Sequence, residues 1–252
     1  MMNILDKIKI DISVYLLMLF ALLAGHFKSV FLILVIVIVH EIGHVFFFLL
    51  FSIDIESISI YPFGGITKVN KRLHTRIYKD ILIALGGILF QILLFLIFYL
   101  LYKYNLIVTS SYKMFNQYNL SILLFNLLPL IPLDGSKLLF SIFLKFFSFN
   151  RSYILMVFLG FFSLILFVFY NVFFKINDLI IMIFLIFKLY EVFKDRGYIL
   201  NKFYLERVMY DNYYDGIIND SSVDKMRINK YYYFYCDEKY VNEKDYILKN
   251  KF

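Results

Sequence analysis

Long apolar runs alternate along this chain with short polar segments. The runs fall at about 10–26, 30–51, 77–102, 117–147, 152–171 and 176–194. A bilayer's hydrocarbon core is crossed by about 20 apolar residues in a helix, so the pattern predicts six spans. The fourth is interrupted by Pro129 and Pro132. Basic residues test the orientation, because cytoplasmic loops carry the excess of Lys and Arg. With the N-terminus inside, the inside segments hold Lys7 and Lys9; Lys68, Lys71, Arg72, Arg76 and Lys79; Lys145 and Arg151; and the basic stretch from Lys188 on. The outside loops hold Lys28, Lys103, Lys113 and Lys175. This asymmetry predicts a multi-pass protein with both termini cytoplasmic. The first run, with Lys7, Lys9, Ala21 and Ala24, also has the outline of a signal peptide. Keeping it as a first span fits the charge count better.

Two segments depart from the pattern. Residues 52–70, "SIDIESISIYPFGGITKVN", alternate Ile53 and Ile55 with Asp54 and Glu56. The phase then slips by one residue before Ile58 and Ile60. That predicts two short strands or a bent hairpin, with Gly64-Gly65 permitting a tight turn. The hairpin is either an interfacial connector or an exposed edge that holds an extended peptide. In the second case, charge or proline at Ile58 or Ile60 lowers activity. The other segment is 196–252, polar and rich in tyrosine. There "KYYYFYC" and "KYVNEKDYI" flank Asp237-Glu238 and predict a second hairpin. The expected class is thus an all-α polytopic membrane protein. It has a six-span core over 1–195, a small membrane-associated β hairpin, and a basic cytoplasmic tail over 196–252. The tail is either a docking appendage or a loosely ordered segment near anionic headgroups.

Composition agrees. The 252 residues are 62% hydrophobic and 21% aromatic, with a mean hydropathy of +0.74, which excludes an ordinary soluble domain. Cys236 is the lone cysteine, so no disulfide forms within the chain. The net charge of +7 lies mostly beside the spans, so topology accounts for it and no nucleic-acid partner is expected.

Against this background, "FLILVIVIVHEIGHVFFFLLF" (31–51) carries His40, Glu41 and His44 in the middle of its oil. Ionisable groups at that depth mark a functional site. Positions i and i+4 share a helix face, so the two imidazoles can hold one metal ion. Zinc is the usual choice, with the adjacent glutamate as general base. As a helix the run is about 31 Å long and places His40 about 14 Å along it, near the midplane. The alternative is two histidines hydrogen-bonded to neighbouring helices. Catalytic zinc takes three protein ligands, and Asp134 is the best third. It lies in "FNLLPLIPLDGSKLL", where prolines and Gly135 break a span. Non-helical backbone at membrane depth is tolerated where it is buried or lines a cavity. Lys137 offers Asp134 a structural ion pair instead.

The pair H-E-x-x-H and N-x-x-P-x-x-P-L-D-G resembles the site-2 protease family of intramembrane zinc metalloproteases, over roughly residues 1–195. The resemblance implies that His40, His44 and Asp134 bind one zinc ion per chain and that Glu41 activates water. It also picks out Asn126, whose amide donates to the oxyanion or holds the substrate backbone; a helix-packing amide is the alternative. Ser136 stands where the family usually has a second glycine. Ile88 and Gln91 replace a proline and an asparagine common in its third span, leaving that segment only close packing through Gly86 and Gly87. The connector between spans two and three, 25-odd residues long, is too short for a PDZ domain. The resemblance therefore narrows to the sporulation branch, which implies a membrane-associated sigma-factor precursor as substrate and membrane-bound regulators as partners. That branch usually ends in a nucleotide-binding CBS domain, and the tail here is too short for a complete one. Two other classes compete: a divalent-metal transporter, for which no inverted repeat or second site is present, and a catalytically silent membrane scaffold.

Overall fold

The structure, a computed structural model, describes residues 7–61, 64–70, 72–73, 75–170, 176–210, 214–220, 222–236 and 239–251. The Asp237-Glu238 turn, Lys71 and Lys175 lie outside them. The chain divides into two compact units, Met1–Lys71 with Leu82–Asn126, and Arg72–Ile81 with Leu127–Phe252.

The first unit opens with β1 (Ile8–Ile10), α1 (Ile12–Leu23) and α2 (Phe27–Leu50). Asp11 caps α1, its carboxylate accepting from Ser13 N at 2.9 Å. Strands β2 (Ile55–Tyr61) and β3 (Gly64–Val69) follow, then most of α3 (Ile77–Lys103) and α4 (Thr109–Leu127). The sheet order is β1-β2-β3, with β1 parallel and β3 antiparallel to the central β2. The predicted hairpin is therefore present. Its register shifts between Ile55 and Ser57, where the sequence slips phase. A bulge at that point lets Ile55, Ile58 and Ile60 all be buried. Ile55 and Ile58 pack with Phe48 of α2 and Ile83 of α3. Helices α2 and α3 meet backbone to backbone: a Cβ on Gly43 would fall within 3 Å of the Gly86 carbonyl. Small residues allow this approach between apolar helices.

The second unit contains α5 (Asp134–Phe146), α6 (Phe149–Tyr170) and α7 (Ile176–Met209). Helix α4 has ended at Leu127, and six residues that include Pro129 and Pro132 precede α5. Proline supplies no N–H and blocks the helical path. The predicted fourth run is accordingly broken at its prolines, into two helices. A Cβ on Gly135 would overlap the Leu127 and Leu128 carbonyls, so glycine lets the broken backbone fold against the first turn of α5. Leu130, Ile131, Tyr153, Leu185 and Leu189 form a core there.

The C-terminal segment of this unit is folded. Strand β4 (Ile217–Asp220) runs parallel to β5 (Tyr231–Cys236), which pairs antiparallel with β6 (Lys239–Asn242), as the sequence predicts; α8 (Glu243–Lys251) closes it. Phe149, Phe203, Met226, Tyr232, Phe234 and Ile247 make its core. The fully buried Arg207 and Glu243 pair at 2.6 Å. Arg207 also donates to the Arg227 and Lys230 carbonyls at 3.1 and 2.6 Å, and Glu243 accepts from Tyr232 N and Tyr214 OH.

The chain is mostly helical, as expected, and each of the two hairpins gains a third strand, giving two three-stranded sheets. Among the described residues three helices are long and apolar enough to cross a membrane: Phe27–Leu50, Ile77–Lys103 and Phe149–Leu166. The first predicted span begins instead with a strand, and its helix Ile12–Leu23 is shorter than a full crossing.

Candidate active site

His40 and His44 lie one turn apart on α2 and are both buried. The Nδ1 of His40 lies 3.1 Å from Gln91 Oε1, and the Nδ1 of His44 lies 2.8 Å from the Ile83 carbonyl. Gln91 Nε2 donates to Asn119, 3.3 Å to Oδ1 and 3.4 Å to the carbonyl, so the amide oxygen faces His40. An amide oxygen only accepts, so each imidazole carries its proton on Nδ1 and presents a lone pair at Nε2. Those two Nε2 atoms are 3.1 Å apart. Two opposed lone pairs at that separation repel unless a cation or a shared proton lies between them. Donation from Nδ1 to a carbonyl-type oxygen is also the usual outer contact of a metal-bound histidine. The donor set therefore fits a zinc ion. The histidines do hydrogen-bond to a neighbouring helix, as the alternative expected, but through Nδ1, which leaves Nε2 directed elsewhere.

Glycines shape this pocket. A Cβ on Gly87 would fall within 3 Å of the His40 ring, and one on Gly65 within 3 Å of Glu41 Cγ, Cδ and Oε2. Gly65 N donates to Glu41 Oε1 at 3.1 Å. Thus α2 supplies both imidazoles and the carboxylate, α3 orients the rings, and β3 seats Glu41.

Asp134 is the first residue of α5 and is buried. Lys137 Nζ donates to its Oδ1 at 2.8 Å, so the ion pair read from the sequence is formed. A carboxylate has two oxygens, and this contact is compatible with metal ligation. Ser136 turns its hydroxyl back to the Leu133 carbonyl at 2.7 Å. Asn126 is half-buried, one residue before the end of α4.

Gln91 is the contact of the candidate site that sequence reading missed. Its signal was a lone amide in the apolar α3, but its partner is 51 positions away. Gly65 was read only as a turn residue.

A family model described as peptidase family M50 matches residues 28–109. The chain is 32% identical over 209 residues to stage IV sporulation protein FB of Bacillus subtilis, covering 82% of this chain and 73% of that one. Its fold is similar to that of the site-2 protease from Methanocaldococcus jannaschii, with a TM-score of 0.55 at 20% identity. That match covers 73% of this chain and 89% of the other.

Proposed function

The chain belongs to peptidase family M50, and from that premise we propose that it is an intramembrane zinc endopeptidase of the site-2 protease type. It spans the bilayer several times with both termini cytoplasmic and cuts a peptide bond in or next to the membrane. His40, His44 and Asp134 hold one zinc ion, Glu41 is the general base, and Asn126 donates to the developing oxyanion. What most supports the reading is the pair of Nε2 lone pairs converging within the buried α2 face, each fixed by a proton on Nδ1.

Zinc at such a site acidifies water and polarises a carbonyl. Glu41 takes one proton from the attacking water as its oxygen bonds to the scissile carbon, and returns that proton to the amine as the C–N bond breaks. The Asn126 amide offers an N–H where negative charge grows on the carbonyl oxygen. The substrate is a membrane-associated regulatory protein. A sigma-factor precursor is the first class to test, since the relative over most of the chain is a sporulation protein. Membrane-bound regulators are the expected partners.

The test is co-expression of wild type or Glu41→Gln with membrane-tethered transcription-factor precursors, followed by mass spectrometry of shortened products. Wild type should cleave one of them. Glu41→Gln should keep its zinc and produce no fragment, and Asp134→Ala should lose zinc. Unchanged turnover in Glu41→Gln ends the protease reading.

A further inference from the structure

The contact between Glu41 and Gly65 joins the general base to a strand edge. In β2, the Ile60 carbonyl accepts from Asp11 N at 3.0 Å, so the polar groups of Ile60 face the β1 side. Ile60 stands opposite Gly65 in the antiparallel register. An antiparallel pair whose polar groups turn away from the shared ladder on one strand, here toward β1, turns them outward on the other as well. Gly65 therefore points its N–H and C=O away from β2, and by the two-residue period so does Thr67. Beyond them no further strand pairs with β3 among the described residues. The outward Gly65 N–H is taken by Glu41 Oε1. On the same face of the strand, Thr67 carries a buried hydroxyl with no hydrogen-bond partner, and buried polar groups of that kind call for an explanation.

Resting on the protease reading above, we propose that Gly65 is a positioning residue for Glu41 and that substrate releases it. While the edge is empty, the Gly65 N–H parks the carboxylate. An extended peptide that adds to the outer edge of β3 takes over this N–H with one of its own carbonyls, and the Thr67 hydroxyl gains a backbone partner. With a peptide in place, the Glu41 carboxylate leaves the strand edge and can turn toward the reacting water. Glycine is required because any Cβ would occupy the seat of the Glu41 side chain. The contact is local to α2 and β3, and one hydrogen bond is exchanged for another, so the switch costs little net free energy.

The probe is a single-span polyleucine peptide with a central Ala-Gly-Ala-Gly break, in bicelles with the zinc-loaded full chain. Glu41→Ala and Glu41→Gln both lack the base, but only Gln keeps an acceptor that competes for the Gly65 N–H. Glu41→Ala should bind the peptide about fivefold more tightly than Glu41→Gln, the size expected of one hydrogen bond. Thr67→Val should weaken binding to either by a similar factor. Equal affinity of the two Glu41 variants, or binding by neither, overturns the proposal. In the active chain, Gly65→Ala should lower kcat about tenfold or more with KM and zinc content unchanged; wild-type kcat overturns it. Should wild type cleave no membrane peptide, the protease reading fails, while the affinity comparison still decides the parking of Glu41.

Discussion

The position of a proton on each imidazole decides what the α2 pair can do, and Gln91 and the Ile83 carbonyl set those positions. Gln91→Leu keeps the volume and removes the acceptor for His40 Nδ1–H. Loss of such an outer contact lowers metal affinity by about 10–100-fold. Competition with a chromogenic chelator should show that drop, and Gln91→Glu, which keeps an acceptor, should lose less. H-E-x-x-H was legible because its chemistry is written within five residues. Gln91 was not, because its meaning depends on which turn of α3 lies against His40. That register is set by Gly43 and Gly86, which sequence alone does not align.

At the level of elements, the approach of α2 to α3 and the order of the sheet matter most. Gly43→Ala would drive a methyl group into the Gly86 carbonyl. Overpacking of this kind costs about 1–3 kcal/mol, and it would also separate His44 from the Ile83 carbonyl. Thermal unfolding in detergent should show a lower midpoint together with weaker zinc retention. The sheet changes an expectation. Ile58 and Ile60 lie in the central strand, paired on both sides, so proline there should unfold the sheet instead of merely blocking a peptide. The open edge that carries the Glu41 contact belongs to β3. The bulge was legible as a slip in alternation at Glu56. Strand β1 was not, because Ile-Lys-Ile at the head of an apolar run reads as the start of a span, and its partner β2 is some 50 residues on.

On the scale of the whole chain, the C-terminal segment is a folded body with its own titration. Its hairpin was legible in the two tyrosine-bearing runs that flank Asp237-Glu238. Its closure was not, because Arg207 and Glu243 are 36 positions apart and each alone reads as a solvated charge. Glu243→Ala leaves Arg207 charged and buried without its carboxylate, a loss of about 3–5 kcal/mol. Hydrogen exchange of residues 214–251 in the full chain should then report their unfolding. Tyr204 adds a pH dependence. Burial, then the nearby Asp224 carboxylate, pushes its phenol from 10.0 up to about 12. A raised phenol favours the neutral form in the folded state. Its contribution is therefore complete below pH 10 and is lost between 10 and about 12, where the unfolded chain ionises first. Tyr231 is raised for the same first reason and acts in the same direction. Protection of 214–251 should thus fall steeply above pH 10 in the wild type. In Tyr204→Phe the fall should be shallower but still present, because Tyr231 still titrates. An identical pH profile in the two would mean that the phenol of Tyr204 does not report on this fold.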